Sequence, residues 1–204
     1  MPRTEKQNAR IRNKRKQKIL SESLHLFARK RYKAVSIDDI AKEVGCTHSL
    51  IYHYFPSKED VYREVLMLAK ENLQGLVDPS VTIDISSPKE ILETILVRIH
   101  DGLISSKRVD VACSLILILD IVFDDDEIAE EIMPRHKRPF SMISRIIEEG
   151  QLRDEFYAGD PKEYTVIINS FLRGVSIASL QIKKDKLIIP DPSYIMRMLV
   201  KEEN

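Results

Sequence analysis

A chain of 204 residues with 43% apolar and 31% charged residues has the make-up of a folded protein able to bury one good core or two small ones. Cys46 and Cys113 lack any CxxC or His-rich companion, which excludes a disulfide framework and a zinc site; with no apolar segment behind the basic N-terminus and no apolar run longer than Leu115–Leu119, a cytoplasmic protein without a membrane span is expected. The net charge is zero, yet residues 1–33 hold twelve Lys and Arg against two Glu, so a basic head of +10 is joined to an acidic body, the footprint of a phosphate-binding surface or, failing that, a solvated tail.

From about Ile11 to Arg31, the stripe Ile11, Ile19, Leu20, Leu24, Leu26, Phe27 predicts a helix. Arg10, Arg12, Lys14, Arg15, Lys16 and Lys18 crowd its start. Positive charge is unfavourable at a helix N-terminus, so the cluster wants an external anion, and a DNA phosphate fits. Ser36 is an N-cap type with Asp39 in the first turn, and Ile37, Ile40, Ala41 and Val44 recur at helical spacing. Gly45 stands where a helix commonly ends in a left-handed residue, and Thr47 caps a second short helix from His48 to Tyr54. A helix this short must pack on neighbours and leave its outer face free. Helix, glycine turn and second short helix over 36–55 make a helix-turn-helix pattern, whose second helix enters the DNA major groove.

Ser57 caps a fourth helix carrying Val61, Val65, Leu68 and Leu73, ended by Gly75 and Asp78-Pro79. Residues 81–87 read as a linker. Pro88 opens a helix to about Leu103, and a long apolar helix runs from about Val109 to Phe123. Asp124-Asp125-Asp126-Glu127 reads as an acidic helix start rather than a metal site, because no further ligand spacing supports a cation. Short helices follow over Glu127–Met133 and Lys137–Glu149, the second stopped by Gly150. Asp160-Pro161 opens a helix to Ile182 with Tyr164, Ile167, Ile168, Phe171, Leu172, Val175, Ala178 and Ser179 at three-four spacing, and Pro192 or Ser193 opens the last. Such a stripe serves a core or an interface equally.

Gly45-Cys46-Thr47-His48-Ser49-Leu50-Ile51-Tyr52-His53-Tyr54-Phe55, followed by Pro56-Ser57-Lys58-Glu59, resembles the signature of the TetR family of transcriptional regulators. The resemblance covers about the first third of the chain. Two residues depart from the family pattern: Arg31 stands where the family has Gly after the first helix, and Cys46 where it has Val. The resemblance implies that Tyr54 and Lys58 contact phosphate, and that the last two long helices pair with their mates as a four-helix bundle.

The expected fold is all-α: an N-terminal three-helix helix-turn-helix domain (1–76) and a larger C-terminal helical ligand-binding and dimerisation domain (77–204), with about nine helices. The expected function is a DNA-binding transcriptional regulator: a repressor released from a palindromic operator by a small-molecule inducer. DNA contacts are expected from Arg12, Lys14, Ser36, Thr47, His48, Ser49, Tyr52, His53, Tyr54 and Lys58. Polar residues in apolar helices, His100, Asp101, Cys113 and Asp120, are the candidates for an effector pocket, and Ile167, Phe171, Val175, Ala178, Ile195 and Leu199 for a homodimer interface. No Gly-rich phosphate loop, Ser-His-Asp order or metal-spaced His pair is present, so no enzyme, cofactor or metal is expected. The rivals are a DNA-bound architectural or cell-division regulator without an effector, distinguished by an operator affinity that no small molecule changes, and a small helical enzyme.

Overall fold

The computed structural model describes residues 5–74, 76, 87–121, 127–132, 134 and 138–201. The expected helix stop at Gly75 and Asp78-Pro79, most of the linker and the acidic run Asp124–Asp126 lie outside them. The described residues form ten α-helices and one 3-10 turn: α1 Glu5–Lys30, the turn Tyr32–Ala34, α2 Ile37–Val44, α3 His48–Tyr54, α4 Lys58–Leu73, α5 Pro88–Ile104, α6 Arg108–Asp120, α7 Glu127–Ile132, α8 Pro139–Leu152, α9 Pro161–Gln181 and α10 Ser193–Leu199. Among them no strand occurs beyond a single bridge of Phe156 with Val200.

The helix boundaries follow from local chemistry. At α2, Ser36 and Asp39 form a reciprocal capping box, and Gly45 ends the helix at φ 73°. The hydroxyls of Thr47, Ser57 and Ser87 accept from the backbone N–H three residues on, at the starts of α3, α4 and α5. α1 starts at Glu5, earlier than the apolar stripe indicates, because polar helix formers extend it beyond the stripe. α8 runs through Gly150 to Leu152. Gly150 is there for close approach: a Cβ would stand 2.2 Å from the Phe156 ring, which packs against this helix.

α6 is the axis of the fold. It is buried on every side from Val111 to Leu119, as expected of a helix apolar all round, and α1, α4, α5, α8 and α9 pack about it. Buried Arg138 closes its end, donating to the Ile121 carbonyl at 2.7 Å and to Glu130 at 3.1 Å. One continuous core joins α1–α3 to the remaining helices, with Phe27, Ile40, Ile51, Phe55, Leu66, Leu92, Ile147 and Phe156 among its fully buried members.

Candidate nucleic-acid interface

The two short helices hold each other from beneath. Ile37, Ile40, Ala41 and Val44 of α2, and Ile51 of α3, turn into the core, and Phe55 at the end of α3 is completely buried. With the apolar side of α3 fixed, His48, Ser49, Tyr52 and His53 all stand exposed on its other side, and Thr47 is exposed at its cap. Tyr54 is half-buried, with His53 edge-on at 5.2 Å between ring centroids. Ser36 is exposed, but its hydroxyl is engaged with Asp39.

The exposed side chains are ordered by neighbours. The His48 ring is held through Nδ1 by the Asp38 carboxylate of α2, and it lies against the Tyr52 ring at 4.9 Å. Asp38 thus sets the attitude of the His48 ring while placing a negative charge on this face. Lys58 donates to the carbonyls of Tyr32 at 3.3 Å and Val35 at 3.0 Å and lies 4.2 Å from the Tyr32 ring centroid. Its ammonium therefore closes the 3-10 turn and keeps one N–H for an outside acceptor.

The basic cluster divides in two. Arg10, Arg12, Lys14 and Arg15 are exposed along one end of α1. Lys16 instead pairs with Glu64 at 2.7 Å, and Lys18 donates to the Val44 carbonyl at 2.9 Å, closing the end of α2. Further along, Arg29 pairs with Glu43 and Lys30 with Asp39. The Ser36 hydroxyl and N–H and Lys30 hold the Asp39 carboxyl far below the usual carboxylate range.

The four effector candidates do not meet in one pocket. His100 borders a small apolar cavity with Leu96, Phe171, Val175 and Ile189, open to a water-sized molecule over only about 10 Å³. Asp101 is exposed beside it, 3.6 Å from His100. Cys113 is enclosed in the core, where burial pushes its thiol up to about 12. Asp120 forms ion pairs with Arg31, at 3.5 Å, and Arg173. Arg173 lines a second cleft, of about 80 Å³, with Leu119, Phe140, Val166, Asn169 and Ser170. Asn169 and Arg173 were not expected from the sequence. The signal was present: between Tyr164 and Leu180 of that helix, Asn169 is the one amide and Arg173 the one charged side chain.

The residues of the expected interface stripe divide between core and surface of the subunit. Val175, Ile195 and Leu199 face the subunit's own core, and Phe171 and Ala178 are half-buried on one flank of α9. Only Ile167 of that set is exposed. The helix period places the outward face of α9 one step round, at Val166, Ile167, Ser170, Gly174 and Ile177.

Residues 19–65 match the family model of bacterial regulatory proteins, tetR family. The chain is 27% identical over 117 residues to the HTH-type transcriptional regulator AcrR of Shigella flexneri, an alignment covering 57% of this chain and 52% of that protein. It is 31% identical over 62 residues to the Staphylococcus aureus negative transcriptional regulator of the biofilm operon icaADBC, IcaR, covering 30% and 33%. The chain therefore spans about half, or a third, of the length of these curated relatives. Among solved structures, it resembles AibR in complex with isovaleryl coenzyme A and operator DNA, with a TM-score of 0.64 at 18% identity over 90% of this chain and 94% of that one. It also resembles the hemolysin II transcriptional regulator HlyIIR, with a TM-score of 0.65 at 20% identity over 94% and 99%. At such identities the likeness is one of fold. No helix among the described residues is long and apolar enough to cross a membrane. The capped α2–α3 pair lies within the matched segment, so residues 19–65 form a helix-turn-helix domain of the tetR-family type, and nearly the whole chain shares the fold of these solved regulators.

Proposed function

We propose that the chain is a homodimeric, cytoplasmic repressor that binds a pseudo-palindromic operator and leaves it when a small molecule binds. The observation that carries this reading is the exposed row His48, Ser49, Tyr52 and His53 on a helix fixed from beneath by Ile51 and Phe55. A short rigid helix with aromatic, imidazole and hydroxyl groups on its free side suits base edges in the major groove. Arg12 and Lys14, exposed on α1, supply phosphate contacts, and Tyr54 and the free N–H of Lys58 supply two more. Residues 1–76 then form the DNA-binding unit and 77–204 the effector and dimerisation unit. The outward face of α9, with Val166, Ile167 and Ile177 exposed, offers a two-fold contact that would hold two recognition helices at a fixed separation of about 34–36 Å.

Support for an effector comes from the relatives: AibR is seen with isovaleryl coenzyme A, and a transcriptional regulator from Saccharomonospora viridis with choline. Selection of bound sequences from random duplex DNA tests the reading directly. Two inverted half-sites about one helical turn apart, or a multiple of it, are expected. Sequence-independent binding alone would overturn it.

A further inference from the structure

Asp38 stands in the first turn of α2 but takes no part in its capping box, which Ser36 and Asp39 complete between them. Its carboxylate is hydrogen-bonded instead to Nδ1 of His48, the residue that opens α3. Both helices are fixed from beneath by buried Ile40, Val44 and Ile51, so the pair bridges two settled elements. The Tyr52 ring, one turn further along α3, lies 4.9 Å from the imidazole and bounds it on another side. An ionised carboxylate only accepts hydrogen bonds, and a neutral imidazole has a single N–H. Bonding to Asp38 therefore commits that proton to Nδ1 and leaves Nε2 with its lone pair. Among the described residues Nε2 has no hydrogen-bond partner, and His48 is exposed.

We propose that Asp38 makes His48 a hydrogen-bond acceptor in the major groove, so that His48 reads the exocyclic amino group of adenine or cytosine. The proposal rests on the DNA-binding reading above and specifies the chemistry of one operator position. Adenine N6 and cytosine N4 donate into the major groove, whereas guanine O6 and N7 and thymine O4 only accept there. Nε2 set against O6, N7 or O4 would bring lone pair against lone pair and leave both unpaired. With the proton on Nε2 the preference would run the other way, toward the acceptors. His48 is thus the residue that meets the base. Asp38 is a positioning residue that decides, through Nδ1, which kind of base edge the ring accepts.

Fluorescence anisotropy on the full chain with the selected operator tests this, at about pH 8.5, where imidazole is neutral. Single-base-pair changes through one half-site locate the position at which His48→Ala loses discrimination. At that pair, 2-aminopurine in place of adenine, or pyrimidin-2-one in place of cytosine, removes the amino group from the major groove. A 7-deazapurine removes the N7 acceptor instead. Loss of the amino group should weaken binding by the parent about fivefold, the equivalent of one hydrogen bond, and the 7-deazapurine should leave it unchanged. In Asp38→Ala the sensitivity to the amino group should largely disappear. The ratio of affinities is the readout, because removal of an acid strengthens binding to any duplex. Both substituted positions are exposed, so both variants should melt close to the parent. The reverse pattern of base sensitivity, or sensitivity to neither analogue, overturns the proposal. So does an Asp38→Ala variant that discriminates as the parent does. If discrimination survives everywhere in His48→Ala but is lost at one pair in Asp38→Ala, Asp38 itself reads the base and the assignment to His48 falls. A parent that binds all duplexes alike overturns the operator reading itself, an outcome distinct from all of these.

Discussion

At the scale of single residues, the interface depends on a few side chains whose neighbours set their behaviour. Asp38 is the least expected of them. It holds His48 in place, yet it brings a negative charge to the surface proposed above to face DNA. Asp38→Asn should therefore raise affinity for nonspecific DNA at low salt while blurring the preference between operator variants, measured by fluorescence anisotropy on matched and mismatched duplexes. Unchanged discrimination would mean that the attitude of His48 does not matter for recognition. Phe55 works from the other side. Its ring is wholly enclosed, with Lys16 Nζ 5.4 Å from the ring centroid. Phe55→Ala should cost about 3–5 kcal/mol of unfolding free energy, read from urea midpoints, and DNA binding should fall with folding rather than with specificity.

At the scale of elements, the α2–turn–α3 unit was nearly all legible in the sequence because its boundaries are set locally. Ser36, Asp39, Gly45 and Thr47 each do their work within four residues, so spacing alone reveals them. The end of α1 was legible only in part. Arg31 adopts the positive φ at which the family has glycine, and its reach to Asp120, far off in sequence, has no local signature. The outward face of α9 was not legible for a related reason. Three-four spacing marks an apolar stripe, but which part of it turns inward depends on α6 and α8. Gly150 failed as a stop signal because Phe156, not backbone conformation, requires it. The capping box has a pH consequence whose sign follows from Asp39. Its carboxyl titrates far below the unfolded value of about 3.9, so its contribution is fully present above that value and is lost as pH falls through the folded one. Urea midpoints of the parent and of Asp39→Asn should differ by a constant amount above about pH 5 and converge below about pH 4. A constant gap down to pH 2.5 would show that the carboxylate does not stabilise α2.

At the scale of the whole molecule, repression as proposed above needs two recognition helices at one separation, so a contact between copies matters as much as the helices themselves. Gly174 offers a clean test of where that contact lies. It sits inside α9 on the outward face, and a Cβ built there meets no atom within 4 Å. Within one subunit, a larger residue has open space and removes a helix-interior glycine that is unfavourable by about 0.8–1 kcal/mol relative to alanine. Between two subunits the same side chain stands in the seam, and two-fold symmetry places it there twice. Gly174→Leu should therefore leave the subunit's melting temperature, measured on dilute protein, equal or higher. Light scattering at micromolar concentration should show a monomer, and tight operator binding should be lost. Ile177→Glu, on the same exposed face, should act alike by placing a carboxylate in an apolar contact. If both variants remain dimers of unchanged affinity, the outward face of α9 is free surface and the two recognition helices are spaced by another part of the molecule.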